Sequence, residues 1–259
     1  MKNTSCIGVT LFNLRDYCKD VAGLDSTLNR VRSIGYENIQ VSGVGSIEPE
    51  VIKELADKYE LSIVATHEAA ADLDNDMAGV IAKLKSWECD FTALGFPGKA
   101  AWDGTAEGVP ALLDKLAKWG TELKEAGVRF GYHNHDIEFE KFNSRILLEQ
   151  IYTEVPATTL YAEIDVHWVA RGGGDPVAWI KKVAGRMPVI HVKDMTIVDR
   201  TPEICEIGEG NLNWPAIIKA CQETNVSYLI VEQDRPFQDR DIFESMKISF
   251  DNMRAMGLH

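Results

Sequence analysis

The sequence predicts an α/β protein folded as one (β/α)8 TIM barrel, a single domain over residues 1–259. Three observations predict it. Eight short runs rich in β-branched and aromatic residues recur along the chain, each is followed by a longer amphipathic segment, and no low-complexity or Pro/Gly-rich linker divides them. Strict alternation of strand and helix implies a parallel sheet with helices outside, because right-handed crossovers pack only that way. Eight repeats in a chain of 259 residues favour a closed barrel over an open doubly wound sheet.

The strand candidates, in order, are CIGVTLF (6–12), NIQVSG (38–43), SIVATH (62–67), FTALGF (91–96), RFGYHNH (129–135), LYAEID (160–165), PVIHVKD (188–194) and YLIVEQD (228–234). Each is short and bounded by polar or turn-forming residues, as buried strands are. Between them apolar residues recur three and four apart. In DSTLNRVRSIG, Leu28, Val31 and Ile34 share a face, and Gly35 stands where the helix ends. PEVIKELADKYE, AGVIAKLKSWE, VPALLDKLAKWGTELKEAG, SRILLEQIYTEV, DPVAWIKKVAG, NWPAIIKACQET and DIFESMKISFDNMRAMG follow the same logic. Asp175 and Pro176 read as an N-cap followed by a proline in the first turn. The first strand-to-helix junction, TLFNLRDYC, lacks a GxGxxG or GxxxxGK[ST] loop, which speaks against nucleotide binding. GGGDP (172–176) reads as a flexible loop opening a helix rather than as a phosphate cradle.

Composition narrows the partners. Asp and Glu number 40 against 27 Lys and Arg, a net charge of -13, whereas nucleic acid and anionic membranes call for a basic surface. The acidic residues are spread out and read as solvated surface. Five scattered cysteines, odd in number and without a CxxC pair, indicate a reduced, intracellular setting. MKNTSCIGVTLF carries no extended apolar segment or cleavage pattern and no stretch is long enough to span a membrane, so a cytoplasmic location is expected.

In a parallel barrel the C-terminal strand ends face one shared pocket, so the chemistry should lie in what each strand ends with. Strand five ends in His133, Asn134 and His135 and runs on to Glu138; strand six ends in Glu163 and Asp165, with His167 just beyond. Strand seven carries His191, Lys193 and Asp194, and strand eight Glu232 and Asp234. Side chains alternate faces, so His133 with His135, Asp165 with His167, His191 with Lys193, and Glu232 with Asp234 form same-side pairs. Carboxylates mixed with imidazole suit one divalent ion, Mn2+, Mg2+, Co2+ or Zn2+, and several carboxylates brought together call for a balancing cation. Taken singly these residues have plainer roles: Asp175, Asp194 and Asp234 as helix caps, and Trp168, Trp179 and Trp214 as packing residues, with Trp168 near enough to wall a sugar pocket. Placement at four consecutive strand ends is what sets the group apart.

YHNHDIEF (132–139), EIDVHWVARGGGDPVAWI (163–180), IHVKDM (190–195), IGEGNLNWPAI (207–217) and VEQD (231–234) resemble the xylose-isomerase-like TIM-barrel superfamily, in particular its sugar-phosphate-isomerase/epimerase-like members. The resemblance runs from the first strand to the last helix. It implies one divalent ion, Mn2+ first, held by glutamate, aspartate, histidine and glutamate from strands five to eight. Carried over, these fall on Asp165, His191 and Glu232, with Glu138 the nearest carboxylate for the first glutamate and a strand-five histidine the alternative.

The resemblance also implies proton transfer through an enediolate beside a carbonyl, by a metal-dependent sugar isomerase or epimerase. Glu232 with Glu138 or His135 would form the proton-transfer pair. His67, His133, His167, Trp168, Lys193 and Glu209 would contact substrate, with Lys193 stabilising negative charge. The same enolate chemistry can expel a leaving group, giving a keto-sugar lyase or dehydratase acting on a 3-keto-glycoside or an inosose. A non-catalytic sugar-binding barrel is the contrasting reading. The expected partner is a small sugar or keto-sugar, unphosphorylated because only Arg171 and Arg235 stand near the pocket, and relatives of this type form homo-oligomers.

Overall fold

A computed structural model describes residues 5–259. The stretch weighed for a leader begins in residues 1–4, which lie outside the described residues. Eight parallel strands build the barrel: β1 (Ile7–Thr10), β2 (Asn38–Val41), β3 (Ser62–Glu68), β4 (Phe91–Leu94), β5 (Arg129–His133), β6 (Tyr161–Glu163), β7 (Val189–Val192) and β8 (Tyr228–Val231). They pair in the order β6-β5-β4-β3-β2-β1-β8-β7. The ring closes between β6 and β7 through a parallel bridge of Asp165 to His191, where the His191 amide donates to the Ile164 carbonyl at 2.9 Å. Two candidate site residues therefore sit on the seam.

Helices follow the strands as the amphipathic spacing predicts. In the helix Val21–Ile34, Leu24, Leu28 and Val31 are buried against the barrel, and Gly35 ends it at a φ of 123°. Asp175 accepts from the Val177 amide to cap Pro176–Lys182, with the proline in the first turn. The main core lies between this helical shell and the outer faces of the strands. No helix among the described residues is long and apolar enough to cross a membrane.

The barrel interior is layered by the two-residue period of its strands. Ala65, Phe91, Ala93, Val189 and Ile230 form an apolar plug. Gly8 and Gly131 leave room for it, since a Cβ on Gly8 would lie 2.5 Å from Ile230 Cδ1 and one on Gly131 2.7 Å from the Phe91 ring. Two residues further along these strands the same inward direction carries His67, Gly95, His133, His191 and Glu232. The alternation thus stacks a polar floor directly on an apolar plug.

Two small hairpins decorate the C-terminal rim, neither anticipated from the sequence. Lys141–Phe142 pairs with Arg145–Ile146, and Asp194–Val198 pairs antiparallel with Thr201–Cys205. The second turns on Asp199 and Arg200, both left-handed at φ 48° and 68°, the geometry of a tight hairpin turn. Asp194 does not cap a helix as expected. Its carboxylate accepts from the amides of Met195, Gly208, Gly210 and Leu212 and from Trp214 Nε1, pinning the IGEGNLNW loop over the rim.

The glycines of GGGDP have a packing role. A Cβ on Gly172 would lie 2.4 Å from the Phe139 ring and one on Gly174 2.7 Å from it, so this loop seats the end of the YHNHDIEF segment. Substituting Gly172→Ala should lower the unfolding free energy by about 1–3 kcal/mol in urea titrations, the usual cost of overpacking. An unchanged midpoint would show that Phe139 can move aside freely.

Candidate active site

Each polar group at the mouth is set by its strand. His67, His133 and His191 point inward from β3, β5 and β7; Glu163 and Asp165 come from the end of β6, and Glu232 from the end of β8. All except His67 are at least 95% buried, with Glu163, Asp165 and His191 fully so. The cavity above them, about 430 Å³, is lined by Phe12, Ser42, His67, Gly95, Phe96, His133, His135, Glu232 and Asp234, among others.

Two groups of donors could each hold a metal ion. His133, Asp165, His191 and Glu232 bring one ligand atom apiece within 4.8 Å of one another, as do His67, His133, Glu163 and His191. Asp165 is divided between two tasks. Its Oδ1 caps the helix Val166–Arg171 by accepting from the amides of His167 (2.8 Å) and Trp168 (3.0 Å), which leaves Oδ2 buried without a hydrogen bond and 3.3 Å from Lys193 Nζ. His133 Nδ1 and Glu163 Oε1 are likewise buried without hydrogen-bond partners. The mixed imidazole and carboxylate set His133, Asp165, His191 and Glu232, with Asp165 Oδ2 buried and lacking a hydrogen bond, is a good fit for a divalent cation.

Lys193 balances part of the charge. Fully buried, its Nζ lies 3.1 Å from Asp234, 3.3 Å from Asp165 and 3.3 Å from Glu232, and 4.9 Å over the Trp168 ring. Burial pushes Glu232 up, but Lys193 and His191 overcome it and hold its carboxyl well below the usual range. For Asp165 burial prevails over Lys193, and its pKa rises to about 7. Burial works against a charged His191 too, yet Glu163 and Glu232 raise it to about 9. His133 is kept neutral by burial and by the neighbouring His191 charge. Burial lowers His135 to about 4 and His167 to about 3.

The structure brings together most, not all, of the residues expected at the site. His135 stands at the cavity rim, its ring 4.9 Å from that of His133 and 5.4 Å from that of Trp168. His167 is buried edge-on to Trp168, with neither ring nitrogen hydrogen-bonded. Glu138 does not reach the donors. It lies on the single 3-10 turn Ile137–Phe139, which folds back behind β5, and its carboxylate accepts from Tyr132 Oη and from the His135 amide, both at 2.7 Å. Tyr132 points opposite to His133, so Glu138 is held on the outer side of the barrel wall. Glu209 accepts from Arg240 at 2.7 Å and does not line the cavity.

Two residues at the centre were not expected there. The sequence marks Glu163 only as a strand end, and Gln40 only as part of the second strand. Gln40 Oε1 lies 2.7 Å from His191 Nε2. The signal for both lay in the alternation: Glu163 shares a face with Asp165, and Gln40 is polar between Ile39 and Val41 in an otherwise apolar run.

No protein-family model matches the chain, and no curated protein does. Solved structures do. A sugar phosphate isomerase/epimerase from Parabacteroides distasonis superposes with a TM-score of 0.82 at 20% identity, covering 98% of this chain and 95% of that one. The chain has the xylose-isomerase-like TIM-barrel fold. An L-ribulose 3-epimerase shares this fold with a TM-score of 0.72 at 14% identity, over 97% of this chain and 94% of that one. A probable 3-DHS dehydratase from Bacillus anthracis shares it with a TM-score of 0.74 at 13% identity, over 96% and 98%. The fold hosts several reactions, so chemistry must be argued from the site.

Glu138 generates a pH prediction. Burial raises its pKa from an ordinary 4.5 to about 7 despite the hydrogen bonds it accepts. The folded state then keeps a proton that the unfolded chain releases, so stability present below pH 4.5 is lost as pH rises through 7. Wild type should lose Tm relative to Glu138→Gln over that interval, by a few degrees. Parallel Tm profiles would refute the burial effect.

Proposed function

We propose that this chain is a divalent-metal-dependent enzyme that moves a proton at a carbon beside the carbonyl of a sugar or keto-sugar, as an isomerase or epimerase. The observation that carries the reading is the convergence of His133, Asp165, His191 and Glu232 at the barrel mouth, with Asp165 Oδ2 buried and lacking a hydrogen bond. His133, the strand-five alternative to Glu138, is the fourth donor in this reading. Two imidazoles and two carboxylates suit Mn2+, Co2+ or Zn2+ better than Mg2+. When bound, such an ion would polarise the substrate carbonyl and offset the negative charge left by proton removal.

The protein's own groups supply the rest. Glu232, kept ionised by Lys193 and His191, is able to accept the proton. His135, neutral at the rim, is the second proton-transfer group, since epimerisation uses one group on each face of the carbon. Lys193 Nζ offsets developing negative charge, and His67, reaching into the cavity, contacts a hydroxyl. Arg171 and Arg235 pair with Asp136 and Glu203, which supports a free sugar over a phosphorylated one.

A lyase or dehydratase reading has support of its own. His135 lines the cavity beside His133, where a proton taken up from the carbon could be passed on to a leaving group, and one structural neighbour is a probable dehydratase. A purely sugar-binding barrel would have no need of four ionisable donors around one point.

Metal analysis and calorimetry with Mn2+ should find stoichiometric binding at this site; no bindable divalent ion would overturn the reading. Incubation with ketoses, inososes and 3-keto-glycosides in deuterated water should incorporate deuterium. Glu232→Gln should reduce that exchange by about 10²–10⁴-fold, the usual contribution of a general base. Undiminished exchange would reject its role.

A further inference from the structure

We propose that Glu163, together with Gln40, is the positioning residue that decides which ring nitrogens His133 and His191 turn to the ion. The inference rests on the metal site proposed above and deepens it.

Glu163 is fully buried one strand step below Asp165, and its carboxylate meets three imidazoles. Oε2 lies 2.5 Å from His67 Nε2 and 3.4 Å from His133 Nδ1, and Oε1 lies 3.5 Å from His191 Nε2. The opposite ring nitrogens face Glu232 instead: its Oε2 is 2.6 Å from His191 Nδ1 and 3.9 Å from His133 Nε2. Each of these two rings is therefore suspended between a carboxylate below and a carboxylate above.

A neutral imidazole that binds a metal presents a lone pair on one nitrogen and carries hydrogen on the other, and the acceptor on the hydrogen-bearing side selects the arrangement. Here the acceptors on the inner side are Glu163 for His133, and Gln40 with Glu163 for His191. They place hydrogen on His133 Nδ1 and His191 Nε2. His133 Nε2 and His191 Nδ1 are left to join Asp165 and Glu232. By the same contact His67 donates from Nε2, which leaves Nδ1 as acceptor toward Ser42 Oγ at 3.4 Å.

Glu163 could instead ligate a second ion directly with His67, His133 and His191. That arrangement would give two bound ions instead of one, a count that separates it from a positioning role.

The test uses Zn2+, which is diamagnetic, on wild type and Glu163→Gln, with affinity measured by chelator competition and ring nitrogens followed by 15N NMR of labelled histidine. Wild type should bind one ion, through His133 Nε2 and His191 Nδ1. Glu163→Gln should still bind one, about 10–100-fold more weakly, with the other ring nitrogens partly populated. Should that variant not fold, Gln40→Leu, which removes only the amide acceptor of His191 Nε2, should weaken binding and disturb the His191 signals alone. Unchanged affinity and unchanged ring nitrogens would overturn the inference while leaving the metal site standing. A fall from two ions to one would overturn it by making Glu163 a ligand. No Zn2+ bound by wild type would overturn both readings.

Discussion

Burying charge is the constraint on which the rest of this structure depends. Glu163, Asp165, Glu232, His191 and Lys193 are all at least 95% buried at the C-terminal mouth of the barrel. Such groups persist inside a protein only when each finds an opposite charge or a full set of hydrogen bonds, and removing one partner of a buried pair typically costs about 3–5 kcal/mol. Lys193 neutralises one side of the group and His191 the other. Together they leave Asp165 Oδ2 without a hydrogen bond, and this is the group toward which the proposed ion would add positive charge.

The fold makes that concentration of charge possible by layering. Beneath the polar floor the plug of Phe91, Val189 and Ile230 excludes water, with Gly8 and Gly131 cut back to admit it. The rim is held from above by a second buried carboxylate, Asp194, which gathers four amides and the Trp214 indole and so fixes the loop after β7. On the other flank Gly172 and Gly174 seat Phe139, tying the loop after β6 to the segment that carries His133 and His135. Rigid support from both sides is what a site needing ångström precision requires.

Much of this was legible before any coordinates. The eight strands lie where the β-rich runs predict, because burial on both faces enriches a strand locally in β-branched and aromatic residues. The helices lie where apolar residues recur with the helical period, as Leu28 and Val31 show. That polar residues would gather at the ends of four consecutive strands followed from strand alternation, whereas the set Asp165, His191 and Glu232 was implied by the family resemblance. The hairpin at 194–205 escaped notice because its first residues continue the run of β7, and its turn residues, Asp199 and Arg200, are not the glycine and asparagine that usually announce such a turn.

By itself, then, the sequence determined the order of elements, the barrel and the strand ends at which chemistry would gather, since all three are written in short-range periodicity. Which polar residue faces the centre was decided only by tertiary structure. Glu138 is near His133 in sequence yet is folded back to Tyr132 by one 3-10 turn, and Gln40 reaches His191 from 151 positions away. Such contacts arise from closure of the ring, which brings strands distant in the chain to within hydrogen-bonding reach and which no local pattern encodes.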